Sequence, residues 1–217
     1  MQRTARVVGY VSAILSAVFS ITYVIAQLAE WSGLLGSGGG PESLSTPLGV
    51  AILLTPSLLL ASSFVVLLAS IHEIATPEKK IWSQSALAFG IMYATMISIV
   101  YFVQLALILP RMARGDMSGV ESFVFTPFDS FLYAVDIMGY SLMCISTLFA
   151  ALVFTGNGIE RPIRFFLTAN GLLVPFLVFQ MYWHSLIWIA SLWAITFPGA
   201  VIALGIFFRR GDPRIKE

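Results

Sequence analysis

The stretch FDSFLYAVDIMGYSLMCISTLFAALVF, residues Phe128–Phe154, decides how the rest of the chain is read. As a helix it is long enough to cross the ~30 Å hydrocarbon core of a bilayer, which takes about 20 apolar residues. Yet it carries Asp136 roughly two turns inside its first end. A carboxylate at that depth costs about 2.5–3.5 kcal/mol on insertion scales, so such residues face the bundle interior, find a partner and serve as functional-site candidates.

Working outward, the composition agrees with a membrane class. The 217 residues are 58% hydrophobic and 11% charged, against about 25% charged in soluble domains. A net charge of +1 gives no bulk electrostatic reason to expect a nucleic-acid partner. Cys144 is the one cysteine, so the chain has no internal disulfide and no cysteine cluster for zinc; in mid-helix it reads as a small packing residue. Arg3 and Arg6 precede an apolar run, Val7–Ala29, that exceeds the ~7–15 residues of a secretory signal core. That run is expected to be a first transmembrane helix.

Six apolar segments are expected to be helices: about 7–30, 47–72, 82–109, 128–154, 163–182 and 185–208. The last two run together, and a single helix from Ile163 to Phe208 would reach ~69 Å, over twice the hydrocarbon thickness. The chain must turn back, and the cluster Gln180, His184 and Ser185 marks the place. The fold class is therefore all-α, an integral-membrane bundle of six transmembrane helices forming a single polytopic domain over 1–217.

Charge sets the orientation. With the N-terminus cytoplasmic, inner segments hold Arg3, Arg6, Lys79, Lys80, Arg161, Arg164, Arg209, Arg210, Arg214 and Lys216, and outer ones hold Arg111 and Arg114. That bias over short loops predicts both termini in the cytoplasm. Trp31, Trp82, Trp183 and Trp188 fall near helix ends, as an interfacial aromatic belt requires.

The first outer loop, Ser32–Thr46, is rich in Gly and Ser. It is expected to be the most mobile segment, without chemical role, and to accept serine throughout Gly38–Gly40. No strand precedes it and no GK[ST] follows, so it is not a phosphate cradle. The second outer loop, Pro110–Thr126, has mixed charge and ends in an apolar run suited to the membrane surface; Pro127 with Asp129–Ser130 fits a helix start. Small residues recur every four positions at Ser12, Ser16 and Ser20 and at Ala86, Gly90, Ala94 and Ser98. Such stripes let helices approach closely in lipid and are candidate faces for a homo-oligomer. LLTPSLLL around Pro56 and LLVPFLVF around Pro175 read either as matching sites of an inverted repeat or as ordinary proline kinks.

Polar residues concentrate toward the outer ends of the helices. By depth, Asp136 is grouped with Gln27, Tyr101, Gln104, Tyr140 and His184 as a ligand-binding set. Tyr140 lies one turn deeper than Asp136 on the same face. An Asp–His or Asp–Tyr pair could bind a cation, carry a proton or act in acid–base chemistry. Alternatively, Asp136 hydrogen-bonds Gln104, a tyrosine or backbone and only fixes packing. Glu30 reads as a water-exposed helix end. No HExxH, cysteine pair, GxSxG or intramembrane lysine is present, so metal hydrolysis, serine hydrolysis and a retinal Schiff base are set aside. No metal or other cofactor is expected, and the acid–base candidates lack the nucleophile of an enzyme.

IMYATMISIVYFVQLALILPRM (Ile91–Met112) and FLYAVDIMGYSLMCISTLFAALVF (Phe131–Phe154) resemble uncharacterised multi-pass membrane proteins of prokaryotes. The resemblance implies a six-helix fold in the prokaryotic inner (plasma) membrane and no activity. Two readings of function follow. One is binding or transport of a small molecule or ion through a polar pocket open to the outer leaflet. The other is a non-catalytic subunit or scaffold whose polar groups stabilise packing.

Overall fold

A computed structural model describes residues 3–126, 128 and 130–210. The expectations for Pro127, Asp129, Arg214 and Lys216 lie outside the described residues. The described chain is all-α and contains six helices long and apolar enough to cross a membrane: α1 Arg3–Trp31, α2 Pro47–Ile74, α3 Pro77–Arg114, α4 Phe131–Ala151, α5 Glu160–Phe179 and α6 His184–Arg210. Local chemistry sets two of the starts. The Thr46 hydroxyl accepts from the Gly49 N–H at 3.1 Å, with Pro47 in the first turn of α2. Ser130 does the same for Tyr133 at 3.2 Å, opening α4.

Three helices are irregular, each near a proline or a polar turn. In α3 a π-turn spans Gln104–Ile108 just ahead of Pro110. Pro110 has no N–H and its ring crowds the carbonyl four residues back; a wider turn there removes the clash. The α5 helix breaks at residues 172–173, ahead of Pro175, and α6 breaks at 191–192. Pro56, by contrast, sits inside the unbroken α2. The two LLxP sites therefore differ in local structure. The turn between α5 and α6 falls at residues 180–183, at the start of the expected cluster.

Each helix packs on the next in sequence, and α6 returns to pack on α1, closing a ring. Aromatic rings fill its centre. Trp193 stacks on Phe197 at 5.3 Å and meets Tyr23 and Tyr140 edge-on at 5.6 Å each, while Phe64 touches Phe197 and Tyr93. Edge-to-face arrangements suit the ring quadrupoles. Asn170 ties three helices: its Nδ2 donates to Thr147 Oγ1 at 3.2 Å, and its Oδ1 accepts from Thr196 Oγ1 at 3.0 Å.

Much of the two small-residue stripes is packed inside this ring. Ser16 meets Ser63 of α2 at 3.0 Å, and Ser12 and Ser20 are buried. Ser146 donates to the Ala86 carbonyl at 2.7 Å, and a Cβ on Gly90 would overlap Leu68. These contacts use the Ser12–Ser20 stripe and the Ala86–Gly90 part of the second for close approach within the chain, while Ala94 and Ser98 are half-buried.

At the end holding Arg6 and Arg164, basic side chains cap helix carboxyl ends. Arg6 donates to the carbonyls of Phe208 and Arg209, Lys79 to Val153, Lys80 to His72 and Arg164 to Phe154. Cations there satisfy the last carbonyls and face the negative end of the helix dipole.

Candidate functional site

A cavity of about 300 Å³ lies among α1, α4, α5 and α6, below the loop ends of the helices. Helical spacing builds its walls. On α1, Tyr23, Gln27 and Trp31 recur every four residues; on α4, Tyr133, Asp136 and Tyr140 recur at three and four. Each set therefore presents one face. Leu177 and Gln180 come from α5, and Trp188, Ser191 and Trp193 from α6, where the break at 191–192 turns both tryptophans toward the same space. Phe125 and Phe128 close the side beneath the second outer loop. The pocket expected to be polar is walled mainly by apolar side chains, eight of its lining residues being aromatic.

The tyrosine hydroxyls are already committed. Tyr23 donates to Gln27 Oε1 at 3.1 Å, Tyr133 to Gln180 Oε1 at 3.2 Å, and Tyr140 meets the Tyr101 hydroxyl at 3.1 Å. Tyr101 also lies within reach of the Asp136 carboxylate. Three other polar atoms around the cavity are buried without a protein partner: Asp136 Oδ1, Gln27 Nε2 and Trp31 Nε1. An unpaired buried polar atom costs about 1–3 kcal/mol, so three at one cavity are more than packing requires. Asp136 itself is only 4% exposed.

The chain matches no protein-family model, curated protein or solved structure. No relative lends an activity, an inner-membrane location or a transport role, and the chemistry of the cavity stands alone.

Of the six residues read from the sequence, Asp136, Tyr140 and Gln27 line the cavity. Tyr101 is fully buried behind Asp136 and supports it. Gln104 and His184 do not reach the cavity. The π-turn aims the Gln104 amide at the second loop, where Nε2 donates to the Phe123 carbonyl at 2.6 Å and Oε1 accepts from the Phe125 N–H at 3.1 Å. His184 Nε2 instead lies 3.3 Å from Glu42 of the first loop. No group of three or more metal-ligating residues occurs among the described residues. A larger hollow of about 640 Å³ runs between the two outer loops past Leu44, Ser45, Met117 and Glu121; Glu121 is exposed there, so that hollow buries no charge.

Two further expectations are corrected. Glu30 is 4% exposed rather than at the water boundary. Its carboxylate lies against Gly49 in the first turn of α2, where a Cβ would meet Oε2 at 2.5 Å, and the positive end of the α2 dipole favours it there. The first outer loop is hydrogen-bonded into place, with Gly40 N–H to Trp31 O at 2.9 Å, Ser37 to Glu30 O at 2.9 Å and Ser45 N–H to Thr126 at 3.0 Å. Gly39 has φ +79°, and a Cβ on it would stand 3.0 Å from the Trp31 carbonyl. Serine is therefore not a neutral substitute across Gly38–Gly40.

Sequence reading missed Tyr23, Tyr133 and Trp193. The signal for Tyr23 and Tyr133 was present, since they share helical faces with Gln27 and Asp136. Trp193 could not be placed, because its direction depends on the break in α6.

Proposed function

We propose that the chain is a multi-pass membrane protein that binds a small molecule in the cavity beside Asp136. One observation carries the reading: a nine-tenths buried carboxylate whose Oδ1 has no protein partner and borders a ligand-sized space. A packing device would use both oxygens, and asparagine would serve that purpose without a charge. The cavity lies at the small end of the ~300–1,000 Å³ range of ligand sites and has their usual make-up, apolar walls with few polar groups. Binding is tested by thermal unfolding of the purified protein against a panel of cationic, anionic and neutral compounds. At least one class raises the melting temperature of the wild type, and Ala190→Leu and Ala194→Phe, which fill the cavity, abolish the shift. If no class shifts the wild type, or the filled variants respond equally, the reading fails.

The basic residues support an orientation with both termini and the capped ends cytoplasmic, so the cavity lies toward the outer leaflet of a plasma membrane. Asp116→Cys and Glu78→Cys, at opposite ends of α3 in a Cys144→Ala background, decide this. An impermeant maleimide added to intact cells labels position 116 and spares 78; the reverse pattern inverts the topology.

A further inference from the structure

We infer that the ligand of this cavity is an organic monocation with a compact apolar body, held by Asp136 against aromatic faces and admitted sideways between α1 and α6. The inference rests on the binding reading above and names its ligand class.

The charge in the wall comes first. Among the described residues it contains the carboxylate of Asp136 and no arginine, lysine or histidine. An anion would be buried facing a carboxylate with only neutral donors to compensate, and a neutral ligand would leave that carboxylate unpaired. A monocation enters with Asp136 as a neutral pair, the arrangement by which charges are tolerated away from water. The surroundings of Asp136 are consistent with this: Tyr101 beside it is a neutral phenol and supplies no positive charge.

Ring faces are the second ground. Tyr23, Trp31, Tyr133, Tyr140, Trp188 and Trp193 all border the space. Indole and phenol faces attract alkylammonium groups through their quadrupoles, more strongly when water is excluded. A bare metal ion is a poor fit, because it would need several oxygen ligands at short range, and beside Asp136 the oxygens of Gln27, Gln180 and Ser191 are already hydrogen-bonded within the chain. The free donors on Gln27 and Trp31, one turn apart on α1, suit an acceptor oxygen elsewhere on the ligand.

Access is the third. Asp136 is buried at 4% exposure, whereas Leu28 of α1 and Trp188 of α6 border the same cavity at 61% and 59%. The rim thus lies on the outer flank of the α1–α6 seam, where Trp31 and Trp188 meet edge-on at 5.3 Å. A flank of this kind on a bundle of apolar helices faces lipid, and it admits a molecule that partitions into the membrane with its charge near the headgroups.

The test compares benzyltrimethylammonium with neopentylbenzene, its uncharged carbon analogue of the same shape. Equilibrium dialysis uses radiolabelled probes and the full chain in phosphatidylcholine nanodiscs, corrected for protein-free discs. The wild type prefers the cation by about tenfold or more, the scale of one charge-assisted contact plus ring contacts. Asp136→Asn weakens the cation about tenfold and leaves the neutral probe within about threefold. Trp188→Leu, on the exposed rim and so independent of whether the Asn variant folds, weakens the cation about three- to fivefold and leaves the neutral probe unchanged. Equal binding of both probes, or cation binding indifferent to both substitutions, overturns the cation class. If neither probe binds while anionic or neutral compounds of the thermal panel do, the class is wrong and the binding reading survives. If no compound of any charge binds, the binding reading itself has failed.

Discussion

The two ends of the bundle differ in how completely they satisfy their polar groups. At the end of Arg6, Lys79, Lys80 and Arg164, polar side chains are spent on structure: each donates to a carbonyl at a helix end, His72 pairs with Ser83 at 2.9 Å, and Glu160 accepts from the Gly156 N–H at 2.8 Å. At the other end Gln27, Glu30, Trp31, Ser45 and Asp136 keep buried atoms without partners. Both ends come from the same apolar chain under the same desolvation cost, so the unpaired atoms are not explained by composition. One end fastens the ring, and the other leaves part of its hydrogen-bonding capacity unused, which is what the proposed binding reading draws on.

That contrast can be broken most decisively by adding bulk to each half. A Cβ on Gly171, where α5 crosses α4, would stand 2.9 Å from the Cys144 carbonyl and overlap Leu148. Gly171→Leu is expected to lower stability by about 3 kcal/mol. Ala190→Leu, on the cavity wall, is expected to cost less than about 1 kcal/mol. Thermal unfolding in detergent measures both, and similar losses would mean the cavity is not free space. The next effect concerns how firmly the loop end is built. Gly39→Ser places a side chain at φ +79° beside the Trp31 carbonyl and is expected to cost about 1–2 kcal/mol, whereas a slack loop would show no change.

Smaller effects sharpen the same comparison. Arg6→Ala removes donors to the Phe208 and Arg209 carbonyls from an exposed side chain. It is expected to cost about 0.5–1 kcal/mol while leaving benzyltrimethylammonium affinity unchanged. Loss of binding without loss of stability would show that the fastening end takes part in function. Asp136→Asn is expected to have the opposite signature. Its stability stays within about 0.5 kcal/mol of the wild type, or rises, because an unpaired buried carboxylate is replaced by a neutral amide, while cation binding falls. A large destabilisation would return Asp136 to a packing role.

Much of this was legible in the sequence, for identifiable reasons. Segment length and hydropathy report the bilayer constraint directly, which is why six helices and the hairpin near Gln180 could be read from composition. Asp136 stood out because a lone carboxylate in an apolar run has few explanations. Depth, however, does not give direction. Gln104 and His184 lie near the right end of the bundle, yet a π-turn ahead of Pro110 sends one to the second loop and the turn after α5 sends the other to Glu42. Glu30 was misjudged because nothing local shows that the 32–46 loop folds back and brings the first turn of α2 over it. Position alone puts Trp31 and Trp188 in an interfacial belt, yet both also line the cavity, and it says nothing of Trp193, which packs among Tyr23, Tyr140 and Phe197. Such assignments depend on which helices are neighbours, and that is a property of the closed ring rather than of any segment.

The closing of that ring by α6 against α1 also bears on biosynthesis. Of the six helices, these two leave the ribosome farthest apart, yet the cavity takes walls from both. While α6 is still being made, α1 and α4 can be in place with Asp136, Gln27 and Tyr23 facing a gap that lipid or an insertase must fill. A chain stalled before residue 184 would carry the carboxylate without Trp188 or Trp193 beside it. Emergence of α6 therefore coincides with the burial of Asp136, and a nascent chain that fails to receive α6 would leave that carboxylate uncovered, a recognisable mark for quality control.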